Sequence, residues 1–245
     1  MTEKDRLYEE AVTDVPDFVF DERVVRVFPD MINRSVPGYA LIVPMIGLLA
    51  RCYALPGSNL YDLGCSLGAV TRAMRQAVNA ADTRIHAVDD SEAMIAGLER
   101  LISGSGDGAG QPSVQTHAED IRQTVIENAS VVVLNFTLQF IEPEDRLPLL
   151  ARIARGMLPG GALILSEKVR FEDPLEQRLQ TQWHHEFKRA QGYSELEIAR
   201  KREALENVMK PDTRQQQLDR LEQAGFSRAF CWYQGFNFLS LIAFK

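Results

Sequence analysis

The sequence predicts an α/β fold with a mostly parallel sheet and helices on both faces. Three observations predict it. Short apolar runs alternate with helical patterns between residues 59 and 167. Residues 168–223 are almost all helical in pattern and rich in charge. The final run, AFCWYQGFNFLSLIAFK at 229–245, reads as two strands meeting at Gly235, so a hairpin closes the sheet edge.

Each element has its own signal. ALIVPMIGLLARCYAL at 40–55 reads as a buried helix with Pro44 near its first turn, and it is too short to span a bilayer. NLYDLG at 59–64 is a buried strand and AVTRAMRQAV at 69–78 a helix. RIHAVD at 84–89 is a second strand, and SEAMIAGLERLI at 91–102 a helix with Ser91 at its N-cap. SVQTHAED at 113–120 is a weaker third strand, and ASVVVLNF at 129–136 a fourth, rich in β-branched residues. PEDRLPLLARIARGML at 143–158 is a helix opening at a proline, and GGALILSE at 160–167 a fifth strand. SGSGDGAGQP at 103–112 has the composition of a flexible surface loop. In SELEIARKREALENVM at 194–209, Ser194 and Glu197 form a capping-box pattern that starts another helix.

At 245 residues the chain accommodates one decorated domain. Its expected parts are an N-terminal helical cap at 1–57, a core at 58–167, a helical insert at 168–223 and the hairpin at 224–245. Lys and Arg total 27 against 34 acids, a formal charge of −7. That balance argues against binding a nucleic-acid backbone. The three cysteines, Cys52, Cys65 and Cys231, match no metal knuckle and read as free thiols of a reducing cytosol. MTEKDRLYEEAVTDV has no apolar h-region, so no signal peptide is expected. His184 and His185, adjacent on a helix, point about 100° apart and make no metal pair. Trp183, Phe187 and Phe171 are expected in core or interface.

The candidate site begins at the first strand. In YDLGCSLGAVTRAM, Gly64 follows the strand and Gly68 opens the helix. Glycine permits a sharp turn and close approach of a ligand, and the helix N-terminus favours a carboxylate or phosphate. The same pattern also serves as an ordinary strand–helix turn. The second strand ends in Asp89 and Asp90, about 25 residues after the turn, where an acid accepts the ribose hydroxyls of a nucleotide-like cofactor. Asp90 alternatively caps the next helix. A nicotinamide cofactor usually requires the tighter G-x-G-x-x-G turn, whereas the middle position here is Ser66. S-adenosylmethionine (SAM), which has no pyrophosphate, fits better. Asp120, after strand three, is placed to accept from the adenine amino group, and Asn135, after strand four, points into the crevice above the sheet; each alternatively caps a turn.

The order of elements, the acid after strand two and the terminal hairpin resemble the Rossmann-like SAM-dependent methyltransferase fold. That fold has a seven-stranded, mostly parallel sheet with the last strand antiparallel. Four longer stretches narrow the likeness: VFPDMINRSVPGY at 27–39, YDLGCSLGA at 61–69, VVLNFTLQF at 132–140 and FKRAQGYSELEIARKREALENVM at 187–209. Together they resemble the carboxy-S-adenosyl-L-methionine synthase family, from about Phe18 to the C-terminus.

That resemblance implies an enzyme that converts SAM and prephenate to carboxy-SAM and phenylpyruvate. A partner enzyme then carboxymethylates a tRNA wobble uridine. It implies a homodimer, no metal, no membrane and no direct contact with nucleic acid. It places Tyr39, Gly64, Cys65, Ser66, Asp89, Asp90, Asp120, Ile121 and Asn135 at the cofactor. It also places Arg202 on the transferred carboxylate, with a reach across to the neighbouring subunit. An aspartate stands at 90 where the family commonly has asparagine, and the 103–112 loop is longer here. The chemistry is physically reasonable: a methyl on a sulfonium is weakly acidic, and prephenate loses carbon dioxide as its ring aromatises. Held beside that carbon dioxide with water excluded, the resulting ylide captures it. Two further readings are an ordinary SAM methyltransferase acting on a small acid and a regulatory SAM-binding module.

Arg202 has its own puzzle. Ile198, Arg202, Leu205 and Met209 recur at helical spacing, so an arginine sits in an apolar stripe. The expectation is a buried anionic partner gripped by two parallel bonds. The alternative is that Arg202 snorkels to water or pairs with Glu206.

Overall fold

The structure is a computed structural model, and it describes residues 3–7, 20–104, 110–206 and 208–245. Residues 105–109 of the loop at 103–112 and the start of the family-like stretch at Phe18 lie outside the described residues.

The sheet is built as the alternating pattern requires. Its strands are β1 (Asn59–Leu63), β2 (Arg84–Asp89), β3 (Ser113–Ala118), β4 (Ala129–Asn135), β5 (Met157–Arg170), β6 (Asp212–Thr213), β7 (Arg228–Gly235) and β8 (Phe238–Phe244). Seven of them lie in the order β3-β2-β1-β4-β5-β8-β7, and β6 pairs β5 off that path. The β1–β2, β1–β4, β2–β3 and β4–β5 ladders are parallel, while β8 runs antiparallel to both β5 and β7. The expected seven-stranded sheet is therefore present, with one two-residue strand added.

The period-two alternation of side chains sends each strand's residues to two separate cores. Tyr61, Leu63, Val132, Leu134, Leu163 and Leu165 pack on one face. There they meet α5 (Pro143–Gly156) and α8 (Arg214–Gln223) through Leu149, Leu150, Ile153 and Leu221. Leu60, Val131, Val133 and Ile164 pack on the other face. They meet α2 (Tyr39–Tyr53) and α3 (Ala69–Ala77) through Ile42, Ile46, Val70 and Met74. Leu134 is fully buried, and a Leu→Ala change in such a core costs roughly 2–5 kcal/mol.

Two helices differ from expectation. Pro44 lies well inside α2 rather than in its first turn. That helix is also only half buried: Leu41, Leu48 and Leu55 leave an exposed apolar stripe along it and just beyond its end. The helix predicted at 143–158 ends at Gly156, and Met157 already belongs to β5. A Cβ at 156 would lie 2.1 Å from the Ile126 carbonyl oxygen, so the chain passes too close there for a side chain.

The helices α1 (Glu22–Ser35), α4 (Glu92–Ser103), α6 (Pro174–Ala190) and α7 (Glu195–Glu206) complete the molecule. Ser91 caps α4 through the Met94 amide, as predicted. At α7 the Glu197 amide donates to Ser194 Oγ and the Ser194 amide to Glu197 Oε2 at 2.7 Å, which is the predicted capping box. Arg146, fully buried on α5, ties the region after α7 to the sheet. It pairs with Asp212 and donates to the Lys210 carbonyl at 2.8 Å. Among the described residues no single helix is long and apolar enough to cross a membrane.

Candidate active site

The C-terminal ends of β1, β2 and β4 open on one cavity of about 510 Å³. That is where open α/β sheets bind ligands, and the size suits one or two small molecules.

The turn after β1 forms its floor. Gly64 has φ 77°, and a Cβ there would meet the Thr137 side chain at 2.3 Å. Ser66 adopts φ 48°, unusual for a residue with a side chain, and its amide donates to Asp89 Oδ2 at 2.9 Å. The acid that ends β2 thus pins the loop that ends β1. Asp89 Oδ1 accepts from the Ser91 amide at 3.0 Å, so this carboxylate also orders the start of α4. Asp62 does the same for α3: its Oδ2 accepts from the Thr71 amide at 2.8 Å and the Thr71 hydroxyl at 2.6 Å. Burial pushes the Asp62 carboxyl up to about 6, against those two donors. Cys65 is buried, and that burial together with Asp62 and Asp89 raises its thiol pKa well above the usual range. It is a small residue in a tight loop, not a reactive thiolate.

Tyr39, Gly64, Cys65, Ser66, Asp89, Asp90, Asp120, Ile121 and Asn135 all line this cavity. Asp90 is exposed at the rim and makes no cap, because Ser91 fills that role. The Asp120 carboxylate is gripped by Arg122, with Nη2 to Oδ2 at 2.6 Å, and those bonds hold it below the usual carboxylate range. Arg122 in turn reaches Asp145 at 2.7 Å. Asn135 Oδ1 is buried with no hydrogen-bond partner among the described residues. In a cavity wall, such an acceptor is open to a donor from a ligand or from water.

Arg202 does not line the cavity. It is exposed on α7, and the expected buried anionic partner is not found among the described residues. At about 100° per residue, the buried face of α7 is centred on Glu197, Lys201 and Ala204. Arg202 falls at the edge of that face; Ile198 is buried and Leu205 and Met209 line the cavity, as the stripe predicts, so only its arginine turns to solvent. The alternative pairing with Glu206 involves a side chain outside the described residues.

Sequence reasoning missed the cavity's cations. Lys168 of β5, Lys188 of α6 and Lys201 of α7 all line it, beside His184. Lys168 carries a signal that was available, because it follows the apolar run of a strand at the edge where ligands bind. Lys188 and Lys201 sit in charged helices and carry none. His184 is buried, with Nε2 2.9 Å from the Ser35 carbonyl oxygen and its ring edge-on to Phe238 at 4.9 Å. Burial and the neighbouring Lys188 push it down to about 2, so the ring is neutral and donates from Nε2. Among the described residues no group of His, Cys, Asp and Glu is placed to hold a metal ion.

A glycine turn pinned by the acid that ends β2, over a cavity at the strand ends, fits the SAM-dependent fold, and comparison with known proteins narrows this further. Residues 60–161 match the family model described as a methyltransferase domain. A carboxy-S-adenosyl-L-methionine synthase from Trichlorobacter lovleyi is 57% identical over 246 residues, covering 100% of both chains. Its counterpart from Pseudomonas putida (strain KT2440) is 55% identical over 241 residues, covering 98% of this chain and 97% of that one. The chain belongs to the carboxy-S-adenosyl-L-methionine synthase family. Solved structures agree on the fold. Magnesium protoporphyrin IX methyltransferase from Synechocystis PCC 6803 with bound SAH has a TM-score of 0.60 at 17% identity, covering 88% of this chain and 87% of that one. Human N-acetylserotonin methyltransferase in complex with SAM has a TM-score of 0.60 at 15% identity, covering 91% and 55%. In this family the fold supplies a SAM site used for transferase chemistry.

Proposed function

We propose that the chain converts SAM and prephenate to carboxy-SAM and phenylpyruvate, and so supplies the carboxymethyl donor for tRNA wobble-uridine modification. The observation that carries this reading is full-length identity above one half to carboxy-S-adenosyl-L-methionine synthases, joined to a cavity lined by nine of the ten expected site residues.

SAM fits the cavity's acids. Asp89 accepts from the ribose hydroxyls while still holding the Ser66 amide. Asp120 and the Ile121 backbone face the adenine, and Asn135 Oδ1 accepts from the ligand. The 64–66 loop amides face the methionine carboxylate. The group SAM supplies is a methyl made acidic by its sulfonium. The chain's own part is to bring two ligands together in a cavity screened from water and to hold the carboxylate charge as it moves. Neutral His184, fixed on the Ser35 carbonyl, packs the wall without adding charge.

We further propose a homodimer in which Arg202 reaches the neighbouring subunit's site and grips the transferred carboxylate. Three facts support it: Arg202 is exposed on its own chain, Trp183 and Phe236 leave an exposed apolar patch on and beside α6, and Leu175 and Leu196 are further exposed apolar side chains on α6 and α7. In this reading the segment 168–223 both covers the site and forms the interface. The enzyme works in the cytoplasm on small molecules and needs no contact with RNA, as the net charge of −7 supports. The test is the mass of the product formed from SAM and prephenate; S-adenosylhomocysteine instead would mark an ordinary methyltransferase.

A further inference from the structure

The cavity carries both signs of charge. Asp62, Asp89, Asp90, Asp120 and Glu142 line it, with Arg122 paired to Asp120, and Lys168, Lys188 and Lys201 form a second, basic group close enough to repel one another. The three lysines come from three different elements, β5, α6 and α7, so their convergence is a property of the fold and not of a local run.

Their partners do not balance them. Lys201 is 5% exposed and is held by Ser35 Oγ at 2.8 Å and Asp5 Oδ2 at 3.5 Å. Asp5 is itself fixed by the Tyr193 hydroxyl at 2.6 Å. The nearby Arg34 is matched by Asp30 at 3.1 Å. Lys188 is only 7% exposed, and neither its ammonium nor that of Lys168 has a hydrogen-bond or ion-pair partner among the described residues. Among the described residues the three ammonium groups therefore have one paired carboxylate, Asp5, which leaves two of them without an ion-pair partner. Burial lowers all three lysine pKa values, to about 7 for Lys188 and about 8 for Lys201, and Lys201 and Lys168 add to the effect at Lys188. Buried cations without counter-charges are costly, and they persist where a ligand completes them.

We propose that Lys168 and Lys188, with Lys201 set beside them by Asp5 and Ser35, form the subsite for the second substrate, a cyclic dicarboxylate. Two unmatched ammonium groups meet two carboxylates, and the apolar wall of Phe136 and Phe238, 5.8 Å apart, takes the ring between the two charged ends. This assignment rests on the proposed reaction and gives its acid substrate a place. It also accounts for product release: the leaving α-keto acid keeps one carboxylate and satisfies one cation fewer. SAM is held by the acids, none of which is paired with Lys168 or Lys188 among the described residues, and does not depend on these lysines.

The test uses the full-length chain with SAM and prephenate, following product by mass spectrometry and SAM binding by calorimetry. Lys188→Met and Lys168→Met should each raise KM for prephenate by about tenfold or more, as for truncating one partner of a buried charge pair. The Kd for SAM should stay within about twofold, since distant sites act independently. Lys188→Met should keep or raise the melting temperature, because it removes a buried charge that has no partner in the free protein. Lys188→Arg, which keeps the cation, should recover part of the loss. Prephenate binding to the wild type should take up protons, seen as heats that differ between buffers, because the ligand favours the charged lysines. An unchanged KM for prephenate would overturn the proposal. So would a parallel loss of SAM affinity, which would assign the lysines to the methionine carboxylate, or a large fall in melting temperature, which would make them structural. If the wild type makes no carboxy-SAM, the reaction itself is wrong. If it does and the variants match it, only the subsite is wrong.

Discussion

The Asp89 carboxylate holds the Ser66 amide at 2.9 Å, joining the end of the second strand to the loop after the first. One side chain thus shapes the turn and lines the cavity, where the proposed function gives it the ribose hydroxyls.

Asp89→Ala should therefore weaken SAM binding by about 1.5–3 kcal/mol, the usual worth of hydrogen bonds to a charged group. Asp89→Asn keeps an acceptor for one of the two amides and should lose less. Titration calorimetry gives both values, and a wild-type affinity in the alanine variant would remove Asp89 from the site.

Arg202→Lys should fold normally but lose the preference for carboxy-SAM over SAM, because an ammonium does not make two parallel bonds to one carboxylate. Arg202→Ala should cost about 2–5 kcal/mol in carboxy-SAM affinity and change SAM affinity much less. Mixing Arg202→Ala with Asp89→Ala subunits tests the reach across the dimer. Activity should reappear, because the site with an intact Asp89 then receives an intact Arg202 from its neighbour. No recovery, or a monomer by light scattering at micromolar concentration, would place the arginine's role elsewhere.

Glu167 should make stability fall with rising pH. It is 2% exposed, and burial pushes its carboxyl up to about 8, opposed by the Leu138 amide and Arg146. Between the unfolded value, about 4.5, and that raised value, the native state holds a proton that the unfolded chain has released. Stability then drops as pH climbs through this window. Glu167→Gln keeps an acceptor for the Leu138 amide and should remove the drop above about pH 6, a gain of the order of a few kcal/mol at about pH 8. The part below that, from Asp62, should remain. Melting temperatures across this range decide it, and parallel curves for the two proteins would contradict it.

Cys65 should resist alkylation while Cys52 reacts, since Cys65 is buried with its thiol pKa pushed up and Cys52 is exposed. Peptide mapping after iodoacetamide treatment checks this; early labelling of Cys65 would mean that the loop opens.

Much of the fold was legible because strands such as ASVVVLNF are β-branched, apolar and bounded by turn residues. Gly64 and Asp89 were legible because one turn and one strand end, close in sequence, carry the chemistry. The basic group was not. Lys188 and Lys201 lie 13 residues apart on two charged helices and meet Lys168 only when both helices fold over the sheet. Helical periodicity also left α7 ambiguous. Arg202 and Lys201 differ by about 100°, and Ala204, too small to mark a face, is buried on the same side as Lys201. The burial of Arg146 was hidden for the same reason, because its partner Asp212 comes from a strand of two residues.

The most direct test of the central claim is to incubate the purified chain with SAM and prephenate and to weigh the nucleoside product. The product should be heavier than SAM by one carbon dioxide, formed together with phenylpyruvate and dependent on both substrates. S-adenosylhomocysteine as the product, or no product despite bound SAM, would contradict it.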